Sequence, residues 1–373
     1  MSDDTDPLVR VEGLEKHFPV RSGLVNSFLN SIRGEKEDVV HAIDGVSFEL
    51  REGETFGIAG ESGCGKTTTG MCLTKLYEPT GGSIYYDGRE ITNGNGSSSK
   101  DLQYFRQNAQ MIFQDPFESL NPRMTVYDTV VEPLRIHGIS NQRARVRRAL
   151  EFAELVPADS YFDRYPHELS GGQRQRLAIA RALVIDPDFI VADEPVSMLD
   201  VSLRAGVLSL LERMTEEFGL SVVYISHDLS LLRHMCDRLA IMYMGKIVEQ
   251  GPIEEILTEP KHPYTRALID AVPVPDPTAD RTRVELQGEV GDAIHIPTGC
   301  RFKNRCEKYI GDVCDTVVPP LEQKSDIEDR REVACHLYES ANGFDPYARV
   351  ESIEHESGAS DSEDDTAVGS SAD

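Results

Sequence analysis

A glycine-rich loop at residues 57–72, GIAGESGCGKTTTGMC, constrains the fold and function of this chain more than any other stretch. It follows a short apolar segment, residues 54–59, that is typical of a buried strand, and it leads into residues 68–76, which can form a helix. In such a unit the backbone N–H groups turn inward around a phosphate, and a lysine reaches the outer phosphates. The positions that fit G-x-x-x-x-G-K-[ST] are Gly60, Gly65, Lys66 and Thr67. We therefore predict nucleotide binding, with Thr67 on Mg²⁺.

The length and apolar content of the chain limit the kinds of protein that it can be. With 373 residues it can bury the core of one large domain and still carry an appendage. Its longest apolar runs, such as residues 189–192 and 221–226, are far shorter than the roughly 18 residues of a membrane-spanning helix. The N-terminus, MSDDTDPLVR, lacks the basic start and apolar core of a signal sequence. We expect a protein that is made and kept in the cytosol.

Acidic residues outnumber basic residues by 64 to 38, which gives a formal net charge of −26. Such a surface repels phosphate backbones and anionic lipids, so nucleic acid is not expected as a partner. High salt screens the self-repulsion of an acidic surface, and we interpret the excess as adaptation to a salty, halophilic cytoplasm. An ordinary acidic protein is the alternative.

Strand and helix patterns alternate along most of the chain. Strands are predicted at residues 8–18 (an edge strand), 41–50, 54–59, 83–86, 109–114, 189–192, 221–225 and 238–243, and helices at residues 201–218 and 230–236. Residues 126–155 instead contain long helical segments rich in arginine and leucine, which suit a small helical subdomain. The prediction is an α/β fold with a mostly parallel sheet covered on both faces.

The apolar strand at residues 189–192 ends in two carboxylates, Asp193 and Glu194. Ligands lie at the carboxyl ends of parallel strands, so Asp193 is expected to project toward the phosphates held by the glycine loop. One carboxylate can bind Mg²⁺ and the next can polarise an attacking water. Acids at strand ends are common, but this pair follows a complete phosphate loop, which favours nucleotide hydrolysis.

Residues 169–176, LSGGQRQR, open a second notable helix. Ser170 is a good N-cap, and Gly171 and Gly172 let the backbone approach a ligand at the positive end of the helix. A capped helix start with a loose turn is the simpler interpretation. However, a second phosphate-type site without a second lysine loop is what a protein needs when two subunits hold one nucleotide from both sides.

These motifs resemble those of the ATP-binding subunits of ABC transporters, whose signature motif matches LSGGQ at residues 169–173. The other matching positions are Phe18 for the adenine-stacking aromatic, Gln114 for the Q-loop, Asp193 and Glu194 for the second acidic motif, Ser197, Met198, Leu199 and Asp200 for the D-loop, and His227 for the switch histidine. The resemblance implies an ABC-type P-loop NTPase core with antiparallel edge strands and a helical subdomain at about residues 115–170. Met198 departs from the family, which usually has a small residue there.

The resemblance also implies roles for these residues. Lys66 and Thr67 bind phosphates and Mg²⁺, Asp193 supports the metal, Glu194 is the general base, His227 holds the γ-phosphate and the base, and Gln114 senses Mg²⁺ and the membrane partner. The loop residues expected around the phosphates are Gly60, Glu61, Ser62, Gly63, Cys64, Gly65, Lys66, Thr67 and Thr68. Ser170, Gly171, Gly172 and Gln173 would cap the ATP of another subunit, and Asp200 would lie at the same interface. A head-to-tail pair that closes on ATP is therefore implied.

Longer segments narrow the resemblance to importers of oligopeptides and dipeptides, a group that also includes nickel and some sugar transporters. They are residues 111–126, 164–183, 192–202 and 261–277. The implied partners are a second ATPase subunit, identical or related, two membrane permeases and an extracytoplasmic solute-binding protein, with this chain on the cytoplasmic face of the membrane. A soluble ABC ATPase of DNA repair or translation is the alternative, but such proteins usually carry two cassettes or a long coiled-coil insertion.

Four of the seven cysteines, Cys300, Cys306, Cys314 and Cys335, are close together in the sequence. Disulfides are not expected in the cytosol, whereas clustered thiolates suit an iron–sulfur cluster or zinc. Their spacing matches neither the common zinc sites nor the ferredoxin run. Several relatives within the peptide-importer group carry a [4Fe–4S] cluster in this extension. The resemblance therefore favours that cluster over zinc with His336 as a ligand, and over free buried thiols.

Composition divides the chain into three parts. Residues 1–272 contain the ATPase motifs, and residues 273–340 form an extension that begins with a proline-broken linker and contains the clustered cysteines. Residues 341–373 are acidic and poor in apolar side chains, so we expect a disordered, solvated tail. An amphipathic stripe at residues 24–32 is expected to pack on the protein's own sheet.

Overall fold

The computed structural model describes residues 6–20, 38–92, 98–271, 293–327 and 330–338. The strands in these ranges are β1 (Val9–Pro19), β2 (Val39–Leu50), β3 (Thr55–Ala59), β4 (Gly81–Tyr86), β5 (Arg89–Glu90), β6 (Ala109–Ile112), β7 (Phe189–Asp193), β8 (Ser221–Ile225), β9 (Arg238–Tyr243), β10 (Lys246–Pro252), β11 (Glu322–Gln323) and β12 (Glu332–Val333). The helices are α1 (Lys66–Leu73), α2 (Ser99–Asn108), α3 (Pro116–Ser119), α4 (Val126–Ile136), α5 (Gln142–Phe152), α6 (Gly171–Leu183), α7 (Val201–Phe218), α8 (Leu229–Met235), α9 (Ile253–Thr258), α10 (Pro263–Asp270) and α11 (Asp312–Thr316).

The larger sheet has the strand order β11-β12-β10-β9-β3-β8-β7-β6. The strands from β9 to β6 are parallel to one another, and β10, β12 and β11 are added in antiparallel pairings. Every residue of β3, β7 and β8 is buried, as expected for central parallel strands with both faces covered. The predicted α/β fold with a mixed, mostly parallel sheet is confirmed.

The register of this sheet places the candidate site. Ile112 is paired with Ala192, and Asp193 is paired with Ile225, so β6, β7 and β8 end at one edge. Ligands bind beyond the carboxyl ends of parallel strands, and the glycine loop leaves β3 at this same edge.

A smaller antiparallel sheet has the order β2-β1-β4-β5 and lies against the larger one. The Phe48 ring of β2 is stacked on the Phe56 ring of β3, with centroids 4.8 Å apart, and Leu14 of β1 is fully buried in the same core. The prediction of an edge strand at residues 8–18 is wrong, because β1 is hydrogen-bonded to β2 on one side and to β4 on the other.

Several helices begin or end where the local sequence requires it. Helix α7 coincides with the predicted helix and stops at Gly219, whose φ of 63° is left-handed. Helix α1 begins at Lys66, before the predicted start, because Gly65 at its N-cap has a φ of 111°. Helices α4, α5 and α6 pack together through buried side chains, including Val130, Val146 and Leu177.

Residues 293–327 and 330–338 contain β11 and β12, and β12 pairs with β10 at the edge of the larger sheet. In the part of the chain that the structure describes, no helix combines the length and the apolar character needed to span a membrane. The amphipathic stripe at residues 24–32, the linker beginning at residue 273 and the tail at residues 341–373 lie outside the described residues.

Candidate active site

The glycine loop between β3 and α1 is closely packed against the strands beside it. A Cβ atom on Gly60 would lie 2.2 Å from the carbonyl oxygen of Met242, and one on Gly65 would lie 2.1 Å from that of Ala42. Backbone atoms cannot yield at such distances, so β2 and β9 fix the loop and exclude side chains there. The exposed tip at Ser62 and Gly63 faces solvent.

Lys66 lies in the first turn of α1 with its side chain buried. Its Nζ atom donates hydrogen bonds to the carbonyl oxygens of Gly60, at 2.8 Å, and Glu61, at 2.9 Å. The N-cap residue of α1 is Gly65, and among the described residues no side-chain cap hydrogen bond forms at this positive end of the helix. An ammonium group beside a helix N-terminus is an arrangement that favours an anion such as a phosphate.

Asp193 ends β7 with a buried carboxylate beside the side chain of Thr67. Burial raises the pKa of Asp193 to about 6, against the opposing effect of the Thr67 hydroxyl. Its Oδ1 atom has no hydrogen-bond partner in the part of the chain that the structure describes. A buried carboxylate oxygen without a donor, next to a hydroxyl group, is the kind of oxygen ligand set that Mg²⁺ prefers. The residues present therefore fit a magnesium ion.

Glu194 brings two loops together. Its Oε2 atom accepts a hydrogen bond from Nε2 of Gln114 at 2.9 Å, and its Oε1 atom lies 2.9 Å from Nδ1 of His227. The backbone of Glu194 has a left-handed φ of 43°, and its N–H donates to the carbonyl of Ile225 at 2.8 Å. Left-handed backbone at a non-glycine residue is uncommon and concentrates at functional sites. The structure therefore joins Gln114, Glu194 and His227 directly beside Asp193.

The predicted signature turn starts α6 with a reciprocal cap. The Ser170 hydroxyl accepts a hydrogen bond from the backbone N–H of Gln173, and the Gln173 side chain accepts one from the N–H of Ser170. Gly172 is buried against Leu203 of α7, and Ser170 is exposed. Among the described residues, the hydrogen bonds of this turn join it to Pro166, Arg174 and Tyr161, and they do not reach the glycine loop.

The remaining predicted site residues lie on neighbouring surfaces. Phe18 is half-buried, edge-on to the ring of Tyr77 at 5.6 Å, with Nζ of Lys16 5.0 Å from its centroid. Asp200 caps α7 by accepting from the N–H of Leu203 at 3.1 Å. Met198 is 63% exposed, so its side chain is presented to the exterior of the chain. The structure thus assigns Asp200 a helix-capping contact that the sequence prediction did not include.

Residues 43–197 match the family described as "ABC transporter", and residues 248–314 match "Oligopeptide/dipeptide transporter, C-terminal region". The chain is 46% identical over 339 residues to the putative oligopeptide transport ATP-binding protein YkfD of Bacillus subtilis, which covers 90% of this chain and 97% of that protein. This chain belongs to the ABC transporter family. It is also 45% identical over 324 residues to the dipeptide transport ATP-binding protein DppF of Haemophilus influenzae, covering 87% of this chain and 95% of that one.

A solved ABC structure agrees with this assignment. A dimeric ATP-binding cassette in a post-hydrolysis state, bound to ADP and Pi, aligns with a TM-score of 0.55 and 29% identity, over 66% of this chain and 98% of the other. The predicted resemblance to ABC transporter ATP-binding subunits is confirmed, and the chain is an ABC-type ATPase.

Two residues at the ABC nucleotide loop were missed by sequence reasoning. The hydroxyl of Tyr264, in α10, accepts a hydrogen bond from the N–H of Glu61 at 2.9 Å, and Arg305 forms an ion pair with the Glu61 carboxylate. Both residues lie more than 200 positions after Glu61. Local sequence patterns carry no signal for such long-range contacts. The one available hint is that Arg305 directly precedes Cys306, one of the four clustered cysteines.

The comparisons correct two predictions. The matched family and the relatives at 43–46% identity are ordinary ABC transport ATP-binding proteins. An iron–sulfur cluster and a halophilic adaptation both conflict with membership of this ordinary family. The predictions of a [4Fe–4S] cluster at Cys300, Cys306, Cys314 and Cys335 and of adaptation to high salt are therefore wrong.

The four cysteines of this segment are buried or partly buried. Burial raises the pKa of Cys300 to about 11 and that of Cys335 to about 12. Nε2 of His336 is 2.9 Å from the carbonyl oxygen of Val317.

Proposed function

We propose that this chain is the ATP-hydrolysing subunit of an importer of dipeptides and oligopeptides. The observation that carries the proposal is the convergence of the glycine loop, the buried Asp193 and a Glu194 held by Gln114 and His227 at one edge of the sheet. This set supplies phosphate binding, metal ligation and a base for water in one place.

Each site residue has a chemical task in this proposal. Lys66 binds the outer phosphates, and Thr67 and Asp193 hold Mg²⁺, which neutralises charge on the phosphate oxygens when bound. Glu194 accepts the proton of the attacking water as general base, and His227 orients that carboxylate. Each carboxylate oxygen of Glu194 has one such partner and can accept a further hydrogen bond, so the attacking water can be bound while Gln114 and His227 keep their contacts. Gln114, on the loop after β6, is the residue we propose to sense Mg²⁺ and the membrane partner.

A second ATPase subunit, identical or related, completes the site in this proposal. The signature turn is exposed at Ser170 and makes no hydrogen bond to its own glycine loop among the described residues, which leaves it available to the nucleotide of a partner. The similar solved cassette is a dimer bound to ADP and Pi, which supports a paired arrangement. ATP would then be held between Lys66 of one subunit and Ser170 of the other, with Phe18 stacking on its adenine.

The solute class and the membrane partners are inferred from the relatives. The C-terminal match at residues 248–314 and the names of the similar proteins support peptides rather than nickel or oligosaccharides. In this assignment residues 1–272 form the ATPase unit and residues 273–340 its extension. The chain would lie on the cytoplasmic face of the membrane, bound to two permeases that receive peptide from an extracytoplasmic binding protein.

Uptake in the native host tests this function. We expect a strain without this chain to lose uptake of a labelled tripeptide, and the wild-type chain, but not Glu194→Gln, to restore it. Glu216→Gln, the same change at an exposed position of α7, is the matched control and should restore uptake. If peptide uptake persists in the deleted strain while uptake of labelled nickel or of an oligosaccharide is lost, the peptide assignment is overturned.

A further inference from the structure

The residue after the first glycine of the nucleotide loop is bound by the C-terminal part of the chain. Arg305 donates two parallel hydrogen bonds to Glu61, with Nη1–Oε2 at 2.8 Å and Nη2–Oε1 at 3.0 Å. The backbone N–H of Glu61 donates to the hydroxyl of Tyr264 at 2.9 Å, and its carbonyl oxygen accepts from Nζ of Lys66 at 2.9 Å. One loop residue is therefore connected to α10, to the segment around Arg305 and to the phosphate-binding lysine.

The Arg305–Glu61 pair is shielded and geometrically fixed. The Arg305 side chain is 6% exposed and that of Glu61 is 21% exposed. The guanidinium lies 5.8 Å from the centroid of the Tyr243 ring, which packs edge-on against Phe302 of the same segment. A planar guanidinium that forms two hydrogen bonds with a carboxylate fixes its orientation, which a lysine ammonium cannot do. The pair therefore holds the Glu61 side chain in one position.

A second arginine fastens the same segment to the strands under the loop. The Arg301 side chain is buried and hydrogen-bonds the carbonyl oxygen of Met244 and the carboxylate of Asp44. The neighbouring Gly245 donates its backbone N–H to the carbonyl of Cys64, inside the glycine loop, at 2.9 Å. Arg301 thus anchors the segment to the strands that support the nucleotide loop, whereas Arg305 binds the loop itself.

The polar cluster around Asp44 belongs to this attachment. Nε2 of His17 lies 3.1 Å from Oδ1 of Asp44 and 3.1 Å from Nδ1 of His41. Both Arg301 and Lys246 lie against the other carboxylate oxygen, and they hold the pKa of Asp44 below its usual value despite burial. Two cations already neutralise Asp44, so the cluster is suited to anchoring Arg301 and not to binding a metal ion.

We infer that Arg305 is a positioning residue for ATP: by holding Glu61, the C-terminal segment keeps the nucleotide loop in the shape that binds phosphates. This inference rests on the proposed nucleotide site. Lys66 bonds to the carbonyl of Glu61, so a shift of Glu61 moves the backbone on which the ammonium group lies. Glu194 and its partners are not part of this contact, so the loss of Arg305 should weaken binding and leave the hydrolytic step intact.

Nucleotide binding by the full-length chain tests the inference. We expect Arg305→Ala to weaken the binding of Mg-ATP, measured by calorimetry, by about tenfold, which corresponds to about 1.4 kcal/mol. The same variant should raise KM for ATP with kcat within about twofold of wild type. Arg305→Lys keeps the charge but not the paired hydrogen bonds, and we expect an intermediate loss. Lys308→Ala removes an exposed positive charge from the same segment and should bind as wild type does.

The double variant Arg305→Ala with Glu61→Gln distinguishes the loss of this specific ion pair from a general loss of folded structure. If the pair acts as a unit, the double variant should bind ATP no worse than Arg305→Ala alone. Should Arg305→Ala fail to fold, Arg305→Lys and Glu61→Gln provide the same comparison. The inference is overturned if these variants lower the melting temperature while Kd and KM for ATP stay within twofold of wild type. Failure of wild-type protein to bind ATP would instead contradict the proposed function.

Discussion

The Nδ1 atom of His227 lies 2.9 Å from Oε1 of Glu194, and the other oxygen of that carboxylate is bonded to Gln114. The two partners come from loops after different strands, β8 and β6, so the carboxylate connects the central sheet to both loops. A carboxylate held between two side chains is fixed in orientation, and each of its oxygens can still accept a hydrogen bond from a water. The orientation of the base therefore depends on both loops.

Replacing Glu194 by Gln should separate ATP binding from hydrolysis. We expect Glu194→Gln to lower phosphate release by at least about a hundredfold, because an amide cannot accept the proton, while ATP remains bound. Phosphate release and retained radiolabelled ATP are the two measurements. Glu216→Gln on α7 is the control for the loss of one carboxylate. Unchanged turnover in Glu194→Gln would remove Glu194 as the base.

Two glycines of the nucleotide loop should differ sharply in their tolerance of alanine. A Cβ on Gly65 meets the carbonyl oxygen of Ala42 at 2.1 Å, whereas a Cβ on Gly63 meets no atom of the described residues within 4 Å. Both residues have positive φ, so both variants carry the backbone strain of about 1 kcal/mol, and only Gly65→Ala adds a clash. We expect Gly65→Ala to abolish ATP binding and Gly63→Ala to retain it, as measured by calorimetry. Equal losses in the two variants would contradict the proposed shape of the loop.

Asp193 should make the nucleotide-free protein less stable as the pH rises. Burial raises its pKa to about 6, above the unfolded value of 3.8, so the group favours folding at pH below about 4 and loses that contribution as pH rises through 6. At pH 8 we expect Asp193→Asn to be more stable than wild type by up to about 3 kcal/mol, with the difference disappearing near pH 4. Urea unfolding without nucleotide or Mg²⁺ measures this difference in the free energy of unfolding.

The control for this comparison is Asp163→Asn, which changes an exposed aspartate. With saturating Mg-ATP at pH 8, we expect the wild type to be more stable than Asp193→Asn, because only the wild-type carboxylate supplies a charged ligand to the cation. A wild type that is as stable as Asp193→Asn at pH 8 without Mg²⁺ would show that the carboxylate carries no burial cost.

The sequence predicted the parts of the fold that local patterns determine. Helix Val201–Phe218 and strands Ser221–Ile225 and Arg238–Tyr243 were predicted to the residue, because apolar periodicity and Gly219 define their limits. The left-handed backbone of Glu194 was not predictable, since no local preference places a glutamate there and the surrounding loops impose it.

The same limit applies to the site. Asp193, Glu194, Gln114 and His227 could be expected near one sheet edge from their positions after strands, and the structure brings them together. The ion pair between Glu61 and Arg305 spans 244 positions and crosses from the ATPase core to the C-terminal segment. Only the tertiary fold creates such a contact, so neither partner has a signature in its own neighbourhood.

His262 should make the protein sensitive to mild acid. It is fully buried at the start of α10, where Nδ1 accepts the N–H of Tyr264 at 3.0 Å, and burial lowers its pKa to about 3. The unfolded chain takes up a proton near pH 6.5 and the folded chain does not, so stability is present above that pH and is lost as pH falls toward 3. Relative to pH 7.5, we expect a loss of about 1.4 kcal/mol at pH 5.5 from this residue alone.

The variant that isolates this effect is His262→Asn, whose amide oxygen can still cap α10 but does not titrate. Its absolute stability should be lower, because the imidazole also packs beside Phe302, but the difference from wild type should shrink by about 1.4 kcal/mol between pH 7.5 and 5.5. Urea unfolding at the two pH values measures the difference, with exposed His167→Asn as the control for loss of an imidazole. A stability difference that stays constant between pH 7.5 and 5.5 would mean that His262 takes up its proton in the folded protein as readily as in the unfolded chain.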